Sequence, residues 1–205
     1  SLISGSDSCF GWDDRDYFFS DSDKYFIRRA YDAGGENNEY KLYIDYIENI
    51  PEPAPEVMSV AVEGGITQGF GNFEEGWAYA VKQSISKPVT ITLYEDWVAE
   101  NGKFICLDEN GNEYGSEDGY LYLNDDHVLT IDLNGHTIDR NLNEATDNGF
   151  VFRLYDYEAR LIIKDSVGGG KITGANNKGN GGAFLVERGG LYILGGKISG
   201  NKAKN

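Results

Sequence analysis

The sequence predicts a mostly β protein whose second half is a solenoid of stacked β-coils. The first observation behind this prediction is a degenerate repeat. Residues 129–138, 161–174 and 191–201 each read as an apolar strand, a glycine turn and a second short strand. The first strands begin at Leu129, Leu161 and Leu191, which are 32 and 30 residues apart. A period of this length that contains only strands and turns is typical of stacked β-coils.

Composition is the second observation. The 205 residues include 14 Tyr, 10 Phe and 27 Gly, but only one Met and four Pro. Aromatic and β-branched residues favour strands, and Gly suits tight corners. The alternation of Leu129, Ile131 and Leu133 predicts that one face of the first repeat strand fills a core.

Three regions are predicted along the chain. Residues 1–50 form a small β subdomain, because 24–31 and 40–48 read as strands on either side of a turn-rich segment. Residues 51–56 form a Pro-rich linker, since alternating prolines enforce extended backbone and remove amide donors. Residues 57–205 hold a short strand, one helix and the repeats.

The helix is predicted over residues 72–86. Asn72 is its N-cap, Glu74 and Glu75 lie in the first turn, and Pro88 follows its end. The residues at helical spacing on one face are apolar: Phe73, Trp77, Ala80, Val81 and Ile85. We expect this amphipathic helix to cap the open end of the first coil, where core side chains and strand edges would otherwise be exposed.

Several segments together resemble a known superfamily. They are residues 73–78, 89–93, 129–138, 163–166, 170–174 and 195–203. They look like the start of a right-handed parallel β-helix of the pectate-lyase-like superfamily, as found in large bacterial surface and adhesin-like proteins. The resemblance covers roughly residues 70–205. It implies a mostly β fold class: a right-handed parallel β-helix (solenoid) with an N-terminal amphipathic capping helix, preceded by the small β subdomain.

Charge and cysteine content limit the partners and the compartment. The formal net charge of −16 repels phosphate backbones and anionic membrane surfaces, so neither nucleic acid nor membrane insertion is expected. Acidity fits a soluble secreted protein or a cation binder. Cys9 and Cys106 match no zinc or redox spacing, and they form either one long-range disulfide or two separate thiols. We expect a monomer, extracellular or at a cell surface, whose signal peptide is absent from this sequence and whose coils continue after Asn205.

Calcium is the only cofactor that the sequence suggests. An acidic stretch near the start offers carboxylate oxygens for Ca²⁺, although no EF-hand spacing is present; its members are Asp13, Asp14, Asp16, Asp21 and Asp23. Ordinary solvated charges on a surface loop are the alternative. The loop 108–113 begins like an EF-hand, but Glu113 occupies the position that requires Gly, and a turn is the alternative.

No catalytic residue is predicted. The two histidines, His127 and His136, have no Ser or Cys nucleophile assigned beside them, so no triad follows. The 34 acidic residues offer too many carboxylate pairs to single out a glycosidase site. The resemblance implies Ca²⁺ and a basic residue for a lyase, but Arg153, Arg160 and Arg188 show no shared register.

Aromatic residues provide the predicted binding site. Rings that face outward from a sheet can stack on sugar rings, and the glycan-binding candidates are Trp97, Tyr120, Tyr122, Tyr155, Tyr157 and Tyr192. Packing in the core or under loops is the alternative. The expected function is a non-catalytic extracellular surface or adhesin-like β-helix module that binds glycans. The alternatives are the N-terminal part of a polysaccharide lyase or glycosidase with active coils beyond residue 205, and a purely structural stalk or cap.

Overall fold

The computed structural model describes residues 55–106, 119–123 and 126–204, together with the backbone of four strands that precede them. Those strands are β1 (Leu2–Ser4), β2 (Asp16–Ser20), β3 (Tyr25–Tyr31) and β4 (Tyr40–Tyr46). The chain divides into two compact units, Ser1–Pro53 and Ala54–Asn205. Each unit is considered by itself.

The first unit contains an antiparallel sheet with strand order β1-β2-β3-β4. Strands β3 and β4 pair over their full length, from Tyr31 opposite Tyr40 to Tyr25 opposite Tyr46. The two strands predicted over 24–31 and 40–48 are therefore confirmed, and they pair antiparallel.

The second unit contains fifteen described strands and one helix, α1 (Phe73–Ser84). The strands are β5 (Met58–Val62), β6 (Thr67–Phe70), β7 (Val89–Leu93), β8 (Trp97–Val98), β9 (Leu121–Leu123), β10 (Val128–Asp132), β11 (Thr137–Asp139), β12 (Phe152–Leu154), β13 (Arg160–Lys164), β14 (Lys171–Thr173), β15 (Asn176–Asn177), β16 (Phe184–Val186), β17 (Gly190–Ile193), β18 (Lys197–Ile198) and β19 (Lys202–Ala203). They form sheets ordered β17-β13-β10-β7-β5-β6, β18-β14-β11-β8, β16-β12-β9 and β15-β19.

The fold class predicted from the sequence, a right-handed parallel β-helix behind a capping helix, is wrong. Strand β5 pairs antiparallel with both β6 and β7, so the six-stranded sheet is mixed. The all-parallel sheets have two to four strands of only two or three residues each. The described residues therefore form a mixed β architecture with one helix, and no solenoid is indicated. The repeat predicts which of its own segments pair. It carries no information about β5 and β6, which lie outside it and form the antiparallel pairs.

Helix α1 does not act as an end cap. The Asn72 side chain accepts the backbone N–H of Glu75 at 2.8 Å, as expected of an N-cap. The buried side of the helix, which includes Trp77 and Val81, packs against β5, β6, β7 and β10. The edge of β7 that a cap would cover is instead hydrogen-bonded to β5. The capping role predicted for residues 72–86 is therefore wrong.

The repeat segments pair in the register in which their sequences align. Leu161 lies between Leu129 and Leu191 on neighbouring parallel strands, and Ile172 lies between Ile138 and Ile198. The inward residues of β10 and β13 are fully buried, so each repeat strand contributes alternate side chains to one core. This core supports the outer faces of the sheets.

Acidic side chains hold the glycine turns between strands. Asp165 accepts the backbone N–H groups of Gly135 at 2.8 Å, Gly168 at 3.1 Å and Gly170 at 2.8 Å. Since Gly135 belongs to the preceding repeat segment, Asp165 ties two successive turns together. Asp132 does the same for its own turn and the next, and accepts the N–H groups of Asn134 and Ser166.

Candidate glycan-binding surface

The predicted aromatic site is only partly at the surface, because Trp97 is buried. Its ring is 2% exposed and stacks on Phe73 at 5.1 Å, with Phe104 at 5.0 Å and Trp77 at 5.9 Å. Strand β8 presents Trp97 beside Ile138 inside the core and leaves Val98 outside. The prediction that Trp97 binds a ligand is therefore wrong.

Four of the other predicted tyrosines surround the outer face of the sheet β16-β12-β9. On this face Arg153 lies between Tyr122 of β9 and Leu185 of β16, since the neighbouring Phe152 and Leu154 point into the core. The Arg153 guanidinium carbon lies 5.8 Å from the Tyr122 ring centroid. At this distance the cation interacts favourably with the ring.

Two further tyrosines contact the same guanidinium. Its carbon is 5.0 Å from the Tyr155 ring centroid and 6.0 Å from that of Tyr120. The Tyr120 ring is buried against Phe150 at 4.7 Å, while its hydroxyl accepts a hydrogen bond from Arg153 Nη1 at 3.1 Å. Tyr120 therefore orients Arg153 and does not present a free ring face.

Arg153 is also held by an acid. Its Nε donates to Glu187 Oε2 at 2.6 Å, and this hydrogen bond is the main reason that the pKa of Arg153 lies further above its ordinary value. The pair neutralises the charge of Arg153. Because Arg153 lies on β12 and Glu187 directly follows β16, this hydrogen bond holds the guanidinium among the rings.

A second arginine extends the arrangement. The Arg188 guanidinium carbon lies 5.3 Å from the Tyr155 centroid and 4.8 Å from the Tyr157 centroid. Tyr155 therefore lies between two cations. We call the set of alternating arginines and tyrosines the Arg–Tyr ladder, and its members are Tyr120, Tyr122, Arg153, Tyr155, Tyr157 and Arg188.

The outer part of the Arg–Tyr ladder is open to solvent. Tyr155 is 41% exposed and Tyr157 is 68% exposed, and Arg188 is exposed beside them. Among the described residues no carboxylate lies within ion-pair distance of Arg188, whereas Arg153 has Glu187. The Arg–Tyr ladder thus combines exposed tyrosines at positions 155 and 157 with an exposed guanidinium at Arg188.

The expectation that Arg153, Arg160 and Arg188 share no register is confirmed for the paired strands, since Arg153 pairs with Leu185 and Arg160 pairs with Gly190. Arg153 and Arg188 meet at Tyr155. Arg160 does not join them, because its Nη1 donates to the carbonyls of Tyr157 at 2.7 Å and Ala159 at 3.0 Å. A usable signal is present in the sequence: Arg153 follows Tyr122 by 31 residues, a separation equivalent to the repeat spacing.

Tyr192, the sixth predicted aromatic, lies apart from the Arg–Tyr ladder. It is half exposed on β17, where it pairs with Ile162 of β13 in the mixed sheet. Its sheet is not the one that carries Tyr122 and Arg153. A binding role for Tyr192 stays a separate prediction.

The predicted calcium ligands lie outside the residues whose side chains are described. This applies to Asp13, Asp14, Asp16, Asp21 and Asp23, and to the loop 108–113. Across 55–106, 119–123 and 126–204, no group of three or more His, Cys, Asp or Glu side chains is arranged to hold a metal ion.

One serine does lie beside a histidine, contrary to the sequence-based expectation. Ser84 Oγ is 2.9 Å from His127 Nδ1, and Ser84 Oγ also donates to the carbonyl of Val81 at 2.9 Å. Which of the two atoms donates in the Ser84–His127 contact depends on the imidazole tautomer. Both residues are buried, so the contact joins the last residue of α1 to the residue before β10 and does not expose a nucleophile.

The remaining titratable candidates serve structure. His136 Nδ1 lies 3.5 Å from Asp96 Oδ1, which also accepts the N–H of Thr137 at 2.7 Å. Cys106 is a free thiol in the core, and burial raises its pKa to about 12. A thiol with this pKa is protonated near neutral pH and is a poor nucleophile.

Comparisons with known proteins complete the description of the site. No helix in the described part of the chain is both long enough and apolar enough to cross a membrane. No protein-family model, no curated protein and no solved structure matches this chain.

Proposed function

We propose that this chain is a non-catalytic extracellular surface or adhesin-like module that binds glycans through the Arg–Tyr ladder. The observation that carries the proposal is the placement of Tyr155 between Arg153 and Arg188, with Tyr157 exposed at the outer end.

The chemistry of the Arg–Tyr ladder suits a sugar. The apolar face of a sugar ring packs on an exposed aromatic ring, and this contact buries apolar area without desolvating the hydroxyl groups at the rim. Guanidinium groups beside the ring supply several N–H donors in a fixed plane for those hydroxyls. The Glu187 carboxylate, which is exposed beside Arg153, adds an acceptor.

Rigidity of the site also supports binding. Arg153 is held by Glu187 and Tyr120, and its strand neighbours Phe152 and Leu154 are fully buried. Side chains that are already ordered lose little conformational entropy when a ligand binds. A surface of this kind can bind a ligand without a conformational change, as expected of a module that displays a binding site.

The charge of the chain disfavours competing partners. A formal net charge of −16 opposes binding to nucleic acid and to anionic membranes, whereas a neutral polysaccharide is not repelled. We also propose that the chain is extracellular or at a cell surface, as its acidity is typical of soluble secreted proteins.

Affinity electrophoresis of the full chain tests the proposal. The chain is run through native gels that contain plant, host or microbial polysaccharides, with a non-binding protein as mobility reference. We expect retardation by at least one polysaccharide class. Tyr155→Ala should reduce that affinity about tenfold, the effect of roughly 1.4 kcal/mol of lost contact.

Tyr94 provides the matched control. It is 41% exposed, like Tyr155, but its hydroxyl lies 2.8 Å from Ser59 Oγ on the mixed sheet, away from the Arg–Tyr ladder. Tyr94→Ala should leave retardation unchanged. Equal losses in both variants would place binding outside the Arg–Tyr ladder, and migration unaffected by any polysaccharide would exclude glycan binding.

A further inference from the structure

The guanidinium at the centre of the Arg–Tyr ladder is already bonded on both of its edges. Glu187 Oε2 accepts the Arg153 Nε–H at 2.6 Å, and the Tyr120 hydroxyl accepts from Arg153 Nη1 at 3.1 Å. A guanidinium binds a carboxylate through two parallel N–H groups, which lie along the edge of Nε and Nη2 or the edge of Nη1 and Nη2. A ligand carboxylate could therefore bind Arg153 through two hydrogen bonds only by displacing Glu187 or Tyr120.

The Arg153–Glu187 pair presents a donor and an acceptor side by side. The side chains of Arg153 and Glu187 are 27% and 38% exposed, and their hydrogen bond uses only Nε of the guanidinium and Oε2 of the carboxylate. A sugar hydroxyl both donates and accepts hydrogen bonds, so it can contact the two side chains at once. A ligand carboxylate is only an acceptor, and it would lie beside a carboxylate of the same charge. The pair thus suits hydroxyl groups and opposes acidic groups.

The exposed ring of Tyr155 lies close to this pair. Its centroid is 5.0 Å from the Arg153 guanidinium carbon, and Glu187 is bonded to the same guanidinium. The substituents of a sugar ring stacked on Tyr155 therefore lie near the Glu187 carboxylate. Stacking on the ring does not distinguish a neutral sugar from an acidic one, whereas a fixed negative charge beside the ring does.

Charges around the Arg–Tyr ladder balance one another. Residues 153–160 and 187–188 contain three arginines and three acidic residues, although the whole chain carries a formal charge of −16. The acid Asp156 lies on a turn that borders Arg188, since a Cβ on the adjoining Gly189 would be 2.6 Å from the Asp156 carbonyl oxygen. An anionic ligand therefore gains little net attraction at the ladder, and the rest of the chain repels it.

On the basis of the proposed glycan binding, we propose that the Arg–Tyr ladder selects uncharged glycans and that Glu187 determines this specificity. Glu187 occupies on Arg153 the place that a carboxylate of an acidic sugar would take. A neutral sugar leaves the Arg153–Glu187 bond intact and adds hydrogen bonds to it. An acidic sugar either breaks that bond or places two carboxylates side by side.

Calorimetric titration with a matched pair of polymers tests the selection. The parent polysaccharide is one that retards the chain in affinity electrophoresis, and it is used as its hydroxyethyl and carboxymethyl derivatives with equal degrees of substitution. The two substituents are similar in size and differ in charge. At about 0.15 M salt, we expect the natural chain to bind the hydroxyethyl derivative at least about tenfold more tightly than the carboxymethyl derivative.

Glu187→Gln should change the two affinities in opposite directions. The amide oxygen can still accept the Arg153 Nε–H, but it is a weaker acceptor, so affinity for the hydroxyethyl derivative should fall about twofold. Affinity for the carboxymethyl derivative should rise about tenfold, because the charge of Arg153 is no longer neutralised. Glu95→Gln is the charge-matched control: Glu95 is exposed beside Tyr94 on another sheet, and its substitution should leave the ratio of the two affinities unchanged.

The outcomes separate this inference from glycan binding itself. Equal affinity of the natural chain for both derivatives would overturn the selection and leave glycan binding intact. A parallel loss of both affinities in Glu187→Gln would mean that Glu187 only positions Arg153, and an equal rise in Glu95→Gln would assign the effect to net charge; either result overturns the role of Glu187. Failure of every polysaccharide to bind would overturn the proposed function and the selection together.

Discussion

At the level of the residue, Arg153 determines the geometry of the proposed site. It contacts three tyrosine rings and donates hydrogen bonds to Glu187 and Tyr120. A lysine can supply the charge but not the planar group that stacks on a ring and donates in two directions. The guanidinium shape, as well as the charge, therefore lets Arg153 contact the rings and both hydrogen-bond partners at once.

Substitution of Arg153 should separate these contributions. We expect Arg153→Ala to abolish glycan retardation and to lower the unfolding free energy by about 1 kcal/mol, the usual size of a partly exposed ion pair. Arg153→Lys should recover part of the stability but little of the binding. Urea unfolding and affinity electrophoresis of both variants measure the two effects. Full binding by the lysine variant would show that the charge alone is sufficient.

At the level of the element, α1 and the turns support the sheets in different ways. The helix contributes a large apolar surface through Trp77, whose side chain is fully buried and packs against Trp97. The turns contribute hydrogen bonds from backbone amides to Asp132 and Asp165. The helix is thus attached by packing and the turns by polar contacts.

Loss of Trp77 should detach the helix. We expect Trp77→Ala to lower the unfolding free energy by about 3–5 kcal/mol, as found for large buried aromatic residues. Ile85 lies at the exposed end of the same helix, so Ile85→Ala is the control and should change stability little. Thermal unfolding followed by circular dichroism measures both. Equal effects would mean that the buried face does not hold α1.

Asp132 should make stability depend on pH. Burial raises its pKa, but hydrogen bonds from the backbone of Ser166, from Lys164 and from Asn134 outweigh burial and lower it below the ordinary 3.8. A lowered carboxyl pKa stabilises the folded state above the unfolded-state pKa, and that contribution disappears as pH falls through the folded-state pKa.

Asp132→Asn tests this dependence. The stability difference between the natural chain and the variant should be largest near about pH 7 and should shrink below about pH 4. Urea unfolding over this range measures it. Asp147→Asn is the control, since that carboxylate forms only a long, exposed contact to Lys178 at 3.5 Å. A difference that does not change with pH would contradict the assignment to the Asp132 carboxylate.

At the level of the whole molecule, the second unit is built around one core that includes residues from α1 and from three of its sheets. Cys106 lies in this core beside Trp77 and Tyr122. Its pKa of about 12 and its burial both protect it from thiol reagents. Reaction of Cys106 therefore reports opening of the core.

Thiol labelling provides the corresponding prediction. In a Cys9→Ser background, Cys106 should react with iodoacetamide near neutral pH only as fast as the second unit unfolds. Mass spectrometry of samples taken over time in increasing urea measures the rate. Rapid labelling without urea, at the rate of an unfolded control, would show that the core opens locally at Cys106.

The sequence predicts pairing well and topology poorly, for identifiable reasons. Leu129, Leu161 and Leu191 can be aligned because spacing and alternation agree over several residues. The fold class cannot be predicted in this way, since β5 and β6 lie outside the repeat and their antiparallel pairing leaves no periodic signal. The N-cap at Asn72 follows from local chemistry, but what α1 packs against does not.

The candidate site shows the same division. The prediction for Trp97 fails because a two-residue strand has too little alternation to indicate which side chain is inside. Tyr155 and Tyr157 can be proposed as surface rings, but their contact with Arg188 depends on a neighbouring strand some thirty residues later. In the sequence, only the 31-residue spacing of Tyr122 and Arg153 indicates that an arginine and a tyrosine of this site lie on neighbouring strands.

The turn held by Asp165 has a consequence for how such a chain can change in length during evolution. Within a paired strand, one added residue would reverse the side-chain alternation of everything that follows in that strand. Gly168 and Gly169 have positive φ, and a Cβ at either position would meet no atom within 4 Å, so both face open solvent. Insertions, epitope tags or fused domains should therefore be tolerated between these two glycines, while the strands on either side keep their length.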